Sequence, residues 1–316
     1  MTRRIFITGA SGFVGQHLLQ LLDSPDNEVF GTSYPQPPPS LDLSCENNIC
    51  RLDIRDKEKL STAIAQARPE WVFHLAAVSN VGYSWKKPTE TLETNLLGSQ
   101  HVFEAVREFV PQARVLFVSS SNVYARQAGE NIVLSEDDPV EAVSPYAYSK
   151  VCGELLSRFY VNVEDLQVVL TRAFPHTGPG QSPDFVCSDW ARQLVAIERG
   201  LSKPVVCVGN TSVRRDFCDV RDVVRAYALL LEQGRKGEIY NIASGQAVAL
   251  REILDILLSL SPAKVDIEVD PQKLRKADIL SLQGDTRKIT KDTGWKSTIP
   301  LDQTLRDLLE YWRENY

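Results

Sequence analysis

The sequence predicts an α/β fold: a doubly wound parallel sheet with a smaller C-terminal α/β lobe beside it. Three observations carry this expectation. Strand-sized apolar segments alternate with segments of helical periodicity from the first residues onward. The strand segments are apolar almost throughout, as strands covered on both faces must be. A glycine-rich turn over 8–15 stands between the first strand and the first helix.

Residues 5–8 read as a short apolar strand, and 13–22 follow at helical spacing, with Val14, Leu18, Leu21 and Leu22 forming the apolar stripe. Residues 28–32 read as the second strand. The stretch 34–40 (Tyr-Pro-Gln-Pro-Pro-Pro-Ser) is excluded from helix, because each proline removes a donor and pins φ. A third strand is expected over 51–54, a helix over 57–68 and a fourth strand over 71–75. A long helix over 88–109 opens on Pro88, where a missing N–H costs nothing. The fifth strand covers 115–119, a helix opening on Pro145 covers 145–163, and the sixth strand covers 167–172. Beyond about 173, Gly and Pro cluster in 174–180 and the elements shorten, with helices over 188–199, 220–232, 250–259 and 301–313 and a strand near 238–241. The expected division is a dinucleotide-binding domain over 1–173, to which the chain returns around 210–242, and a lobe formed mainly by 174–316. Such a lobe would close on the carboxyl edge of the sheet, where open α/β sheets bind ligands.

Composition excludes several classes. Across 316 residues, 35 Lys and Arg stand against 41 Asp and Glu, a net charge of −6. No positive field therefore draws the chain to nucleic acid or to an anionic membrane. Hydrophobic residues make up 43% of the chain, enough for a core, yet no apolar run has the length of a membrane span. The N-terminal stretch leads straight into a strand without a secretory-signal pattern. The 6 cysteines contain no C-x-x-C pair, and His17, His101 and His176 lack ligand spacing, so neither a disulfide framework nor a metal site is expected. A soluble cytoplasmic enzyme is the expectation.

Three motifs carry chemistry. In Thr8-Gly9-Ala10-Ser11-Gly12-Phe13-Val14-Gly15, Gly9 permits the tight turn, Gly12 lets backbone approach a pyrophosphate and Gly15 allows close helix–strand packing. The strand–turn–helix context predicts a dinucleotide site in a Rossmann-like sheet. Tyr146 and Lys150 lie four apart, hence on one helix face, where an ammonium would draw the phenol towards the working pH. Taken alone, an amphipathic helix with a solvated lysine has the same pattern. The run Ser119-Ser120-Ser121-Asn122 follows the fifth strand, where a hydroxyl can hydrogen-bond a substrate oxygen or simply satisfy its own turn.

The glycine turn, His74-Leu75-Ala76-Ala77, Thr94-Asn95-Leu96-Leu97-Gly98, the serine run and Tyr146 with Lys150 occur in the order of a known family. By these motifs the chain resembles the extended short-chain dehydrogenase/reductases (the NAD-dependent epimerase/dehydratase family) over essentially its whole length. The resemblance implies NAD(P) binding by Gly9, Ser11, Gly12, Phe13, Val14, Gly15, Asp53, Ile54, Leu75, Ala76, Ala77, Tyr146 and Lys150. It also implies a catalytic set of Ser120, Tyr146 and Lys150. Tyr146 would exchange the proton, Lys150 would hold the nicotinamide ribose, and Ser120 would polarise the reacting oxygen.

The stretches 172–181, Arg215-Asp216-Phe217, 219–223 and Arg275-Lys276-Ala277-Asp278 are similar to the nucleotide-sugar branch of that family. Within it they look most like the group that reduces GDP-4-keto-6-deoxy-D-mannose and its sister group of 4,6-dehydratases. The implied partner is a nucleotide-diphosphate sugar, GDP-linked by preference, touched by Asn122, His176, Arg215, Arg275 and Asp278. The two guanidiniums suit a diphosphate. Asn122 departs from the dehydratase pattern, which has Glu there as a base. Pro175 departs too, replacing a usual Asn and its side-chain contact. NADP(H) is slightly favoured over NAD(H), since 31–34 (Gly-Thr-Ser-Tyr) offers no carboxylate to repel a 2′-phosphate.

The leading expectation is therefore a C4-ketone reductase with Tyr146 as proton donor. A 4-epimerase with tightly held NAD comes next, and a 4,6-dehydratase is disfavoured by Asn122. A non-catalytic dinucleotide sensor would have no reason to keep Ser120, Tyr146 and Lys150 together. A homodimer through the helices over 88–109 and 145–163 is expected by the same resemblance, although burial inside one chain would give similar apolar stripes.

Overall fold

The computed structural model describes residues 2–34, 48–124, 132–274 and 280–316. Its main sheet has 7 strands: β1 (Arg3–Thr8), β2 (Asn27–Ser33), β3 (Ile49–Arg51), β4 (Trp71–His74), β5 (Arg114–Ser120), β6 (Gln167–Ala173) and β7 (Ile239–Ile242). Their spatial order is β7-β6-β5-β4-β1-β2-β3, and every neighbouring pair is parallel. The α/β doubly wound class expected from the sequence is the fold found. The chain winds outward from β1 to β3, then crosses back to β4. The order thus reverses between β1 and β4, and the crevice beyond their carboxyl ends is where such sheets take ligands.

Alternation along each strand supplies both faces with apolar side chains. Ile5, Ile7, Phe73 and Leu116 pack into one core with Leu18 of the Phe13–Leu22 helix and Tyr227 and Leu230 of the Val220–Gln233 helix. Phe6, Val72, Val115 and Phe117 pack into the other, with Leu60 of the Lys57–Ala67 helix and Val102, Phe103 and Val106 of the Gly98–Phe109 helix. Near-continuous hydrophobicity is therefore the consequence of two covered faces.

The helix expected over 88–109 is found in three pieces. An α segment, Pro88–Leu92, gives way to a π turn at Glu93–Leu97 before Gly98–Phe109 resumes α geometry. The extra residue in that turn aims Asn95 inward, and π turns of this kind recur at functional sites.

The lobe has its own core, in which Trp190 and Leu194 meet Val206, Leu254, Leu257, Leu305 and Leu308. These side chains come from the helices Val186–Glu198, Leu250–Leu260 and Leu301–Asn315 and from the strand Val205–Val208. A second sheet of 4 strands runs Ala247–Ala249, Arg214–Asp216, Ser281–Gly284 and Val133–Leu134. Its last strand comes from the chain between β5 and the Pro145–Asn162 helix, so the lobe is stitched across the mouth of the main sheet.

Candidate active site

The glycine turn lies at the switch point. Gly9 adopts φ +71°, and a Cβ there would come within 3.0 Å of the Ala76 backbone beyond β4. A Cβ on Gly15 would stand 2.4 Å from the Gly9 carbonyl, so the Phe13–Leu22 helix seats directly on the turn. Gly12 caps this helix without a side-chain hydrogen bond, leaving the first-turn amides around Phe13 and Val14 directed at the crevice. Thr32 closes the floor: its Oγ1 accepts from Gly9 N at 3.1 Å and its carbonyl accepts from Ala10 N at 2.8 Å. A cradle that side chains would fill, rimmed by uncapped amides, fits a dinucleotide pyrophosphate.

The rim carries the other expected cofactor residues. Ala76 N donates to Thr8 Oγ1 at 3.1 Å, holding Leu75, Ala76 and Ala77 against the turn. Thr8 Oγ1 in turn meets His74 Nδ1 at 2.8 Å, and His74 Nε2 meets Ser99 Oγ at 2.8 Å. Because the Ser99 hydroxyl donates to Asn95 O, His74 carries its proton on Nε2. Burial, with a smaller contribution from the Lys150 charge, pushes His74 down to about 3, so it is a neutral strut. Ser11 is buried in the turn. Beyond β3, Asp53 is clasped by Arg55 through paired hydrogen bonds of 2.9 and 2.6 Å, and Ile54 is buried beneath Gly98.

Ser120, Tyr146 and Lys150 meet at the carboxyl end of β5. Ser144 caps the Pro145–Asn162 helix by accepting from Ala147 N, and Pro145 occupies its first turn, which sets Tyr146 and Lys150 facing β5. Lys150 Nζ donates to the Val118 carbonyl at 2.8 Å and lies 5.9 Å from the Tyr146 ring centroid. Burial brings Lys150 down to about 8, against the opposing pull of Glu154. Tyr146 is also buried; desolvation raises its pKa, and a hydrogen bond from Ser120 works the other way. The sequence expectation was a phenol drawn down by the ammonium. Here burial is the larger influence and raises the phenol, the Ser120 hydrogen bond offsets this only in part, and Tyr146 is held as a protonated acid.

Several residues of this site carry little local signal. Asn95, on the π turn, accepts from Val78 N at 2.7 Å and donates to Val78 O at 3.0 Å and Ser149 Oγ at 2.9 Å. It thereby fastens the segment after β4 to the Tyr146 helix. Ser84 Oγ accepts from Tyr146 N at 3.2 Å. One turn past Lys150, Glu154 forms a buried bidentate pair with Arg172 of β6, at 3.0 and 2.8 Å, and accepts from Ser119 Oγ at 2.6 Å. Arg172 also donates to Tyr124 Oη, which donates to Asn241 Oδ1 on β7. This network fixes the ends of β5, β6 and β7 around the catalytic candidates.

Of the expected substrate residues, Asn122, His176 and Arg215 lie among the described residues. Asn122 turns back on Ser120, donating to its Oγ from both N and Nδ2 at 3.2 Å. His176 stacks on Phe13, with centroids 6.2 Å apart, and its Nδ1 bonds Phe174 O at 2.9 Å. His17 meets Pro179 O at 2.8 Å, so the 174–180 segment of the lobe leans on the cofactor helix through two contacts. Pro175 lends only backbone: its carbonyl accepts from Cys218 N at 2.9 Å. Arg215 lies on the Arg214–Asp216 strand, beside the buried Asp216 that accepts from Ser244, Gly245 and Gly284 amides. Arg275 and Asp278 lie outside the described residues.

Comparison with known proteins decides the family. A family model described as GDP-mannose 4,6 dehydratase matches residues 6–308. The chain belongs to this family. Like the GDP-6-deoxy-D-mannose reductase of Pseudomonas aeruginosa, it carries the full-length pattern: the two are 33% identical over 312 residues, covering 99% of this chain and 98% of that one. The structure of RMD from Pseudomonas aeruginosa complexed with NADPH matches with a TM-score of 0.88 at 32% identity, over 100% of both chains. The UDP-glucose 4-epimerase of Thermus thermophilus in complex with NAD matches with a TM-score of 0.88 at 26% identity, over 98% of this chain and 99% of that one. The GDP-mannose 4,6 dehydratase family model thus matches a chain that is also similar to proteins named for reduction and for epimerisation. Its name alone does not assign dehydration to a chain with Asn122, an amide that cannot act as a carboxylate base.

Proposed function

We propose that this chain is an NADPH-dependent reductase acting on the C4 ketone of a GDP-linked 4-keto-6-deoxyhexose, yielding GDP-6-deoxy-D-mannose. The observation that carries the reading is the buried Ser120, Tyr146 and Lys150 set at the mouth of a dinucleotide cradle, with an amide at position 122 where dehydration needs a carboxylate. The full-length likeness to a GDP-6-deoxy-D-mannose reductase supports it.

A bound reduced nicotinamide supplies the hydride to the carbonyl carbon. Tyr146, kept protonated by burial, gives its phenolic proton to the carbonyl oxygen as that oxygen gains charge. Ser120 donates a hydrogen bond to the same oxygen. Lys150, one N–H engaged on Val118 O, has two further donors for the nicotinamide ribose hydroxyls. The 1–173 segment, with the return around 210–242, acts as the cofactor domain, and 174–316 acts mainly as the nucleotide-sugar lobe. There Arg215 and Arg275 take the diphosphate, Asp278 a ribose hydroxyl, and His176 and Asn122 flank the sugar.

NADPH is preferred because the end of β2 has Ser33 and Tyr34 and no carboxylate. The NADPH held by the Pseudomonas aeruginosa structure supports that choice. The working form is a cytoplasmic homodimer: Leu155, Phe159 and Val163 are exposed at the outer side of the Pro145–Asn162 helix and its end, an apolar face that a second copy would cover.

The test is cofactor oxidation at 340 nm with NADPH and a GDP-4-keto-6-deoxyhexose. Stoichiometric loss of NADPH and a reduced nucleotide sugar are expected. Absent oxidation, with NAD copurifying and the C4 configuration interconverting, would assign the chain to epimerisation instead.

A further inference from the structure

We propose that Asn122 is a positioning residue for Ser120: it occupies the acceptor side of the Ser120 hydroxyl so that the hydroxyl proton is turned toward Tyr146 in the free chain and passes to the reacting oxygen when substrate binds. The inference rests on the reductase reading and deepens it.

A serine hydroxyl has one proton and two lone pairs. Asn122 supplies two donors to Ser120 Oγ, its backbone N–H and its Nδ2–H, each at 3.2 Å. Both lone pairs are thereby used. The single proton is left for the other side of the hydroxyl, where Ser120 meets Tyr146 and where the reacting oxygen would lie.

The geometry comes from the 3₁₀ turn Ser121–Tyr124, which folds position 122 back over position 120. That turn is fixed from behind. Val123 is fully buried and its carbonyl accepts from Glu141 N at 2.8 Å, while Tyr124 is tied to Asn241 and Arg172. Asn122 is thus carried by a rigid element, whereas a residue that only touched substrate would have no need to meet Ser120 twice.

Chemistry explains the residue type. An amide can donate to Ser120 Oγ, but a carboxylate of the same shape can only accept. Aspartate at 122 would capture the Ser120 proton and turn it away from Tyr146. One atom therefore separates a hydroxyl poised to polarise a carbonyl from one poised against it.

The test compares Asn122→Asp, Asn122→Ala, Ser120→Ala and the Ser120→Ala/Asn122→Asp pair in the full chain. Thermal melting and NADPH affinity by fluorescence establish that each variant is folded. With NADPH and the GDP-keto sugar, Asn122→Asp is expected to lower kcat on the order of 100-fold, the effect of a lost oxyanion donor, with KM little changed. Asn122→Ala should lose less, and adding Asn122→Asp to Ser120→Ala should cost nothing further. The ¹³Cζ resonance of Tyr146, assigned by its loss in Tyr146→Phe, should move in Asn122→Asp but not when the change is added to Ser120→Ala. Unchanged kcat, a loss confined to KM, an undiminished loss in the Ser120→Ala background or an unmoved resonance each overturns the inference. If the wild-type chain oxidises no NADPH, the reductase reading falls, and the Tyr146 resonance still decides whether Asn122 orients Ser120.

Discussion

At the scale of single residues, Lys150 couples catalysis to a cost in stability. Its folded-state pKa, about 8, lies below the ordinary lysine value of 10.5 because burial penalises the ammonium. Between those values the unfolded chain binds more protons, so this group makes the protein more stable as pH rises from 8 to 10.5; below 8 its penalty is complete. Replacing it with Met removes the penalty along with the charge. Lys150→Met should abolish turnover while its stability relative to wild type is greatest near pH 7. That advantage should shrink by about 1.4 kcal/mol per unit between pH 8 and 10.5, as urea denaturation would measure. Tyr146→Phe should bind NADPH normally and lose about 10²- to 10⁴-fold in turnover, the usual value of a general acid.

That Tyr146 and Lys150 share one helix face was legible because i and i+4 on a helix is a local geometry, whereas their candidate roles came from the family resemblance, since the spacing alone equally fits a solvated lysine. The direction of the Tyr146 shift was not legible, since it depends on how deeply three separate elements bury the phenol.

At the scale of elements, the site is held by contacts that few local patterns announce. The glycine turn was readable because its reasons are local: a left-handed φ at Gly9 and a helix seated on Gly15. Gly9→Ala should therefore weaken dinucleotide affinity measurably by fluorescence, with a stability loss of about 1–3 kcal/mol from backbone strain. The Glu154–Arg172 pair spans 18 residues, the Arg172–Tyr124 contact 48 and the Tyr124–Asn241 contact 117. Only the parallel order of β5, β6 and β7 brings these groups together, so no spacing rule exposes them. Glu154→Gln should destabilise the chain by about 3–5 kcal/mol in urea melts, because it strands a buried guanidinium. Adding Arg172→Met should recover part of that loss. The π turn at Glu93–Leu97 was hidden for a related reason: 88–109 has uninterrupted helical periodicity, and the bulge is imposed by Asn95 reaching Val78 and Ser149.

At the scale of the molecule, the net charge of −6 is an average over two unlike regions. It gives no field that would draw polyanions, yet the cradle at Gly9 and the lobe strand carrying Arg215 are the proposed local sites for phosphate groups. The lobe's second sheet recruits Val133–Leu134, a two-residue strand too short to carry a periodic signal, so the way the lobe closes over β5 had to be seen in the fold. The exposed face formed by Leu155 (62%), Phe159 (47%) and Val163 (65%) belongs to this scale as well. The proposed dimer predicts twice the monomer mass in sedimentation. Leu155→Glu with Phe159→Glu should yield a folded monomer, since neither side chain lies in the core of one chain.

In the proposed reaction Tyr146 protonates the C4 oxygen of a nucleotide-sugar ketone while hydride arrives at C4. Turnover with NADPH deuterated at the transferred position, followed by mass spectrometry and proton NMR of the product, tests it most directly. One deuterium is expected, at C4 of the sugar, with the same product formed far more slowly by Tyr146→Phe. Deuterium absent from C4, or solvent hydrogen entering at C5 with loss of water, would contradict it.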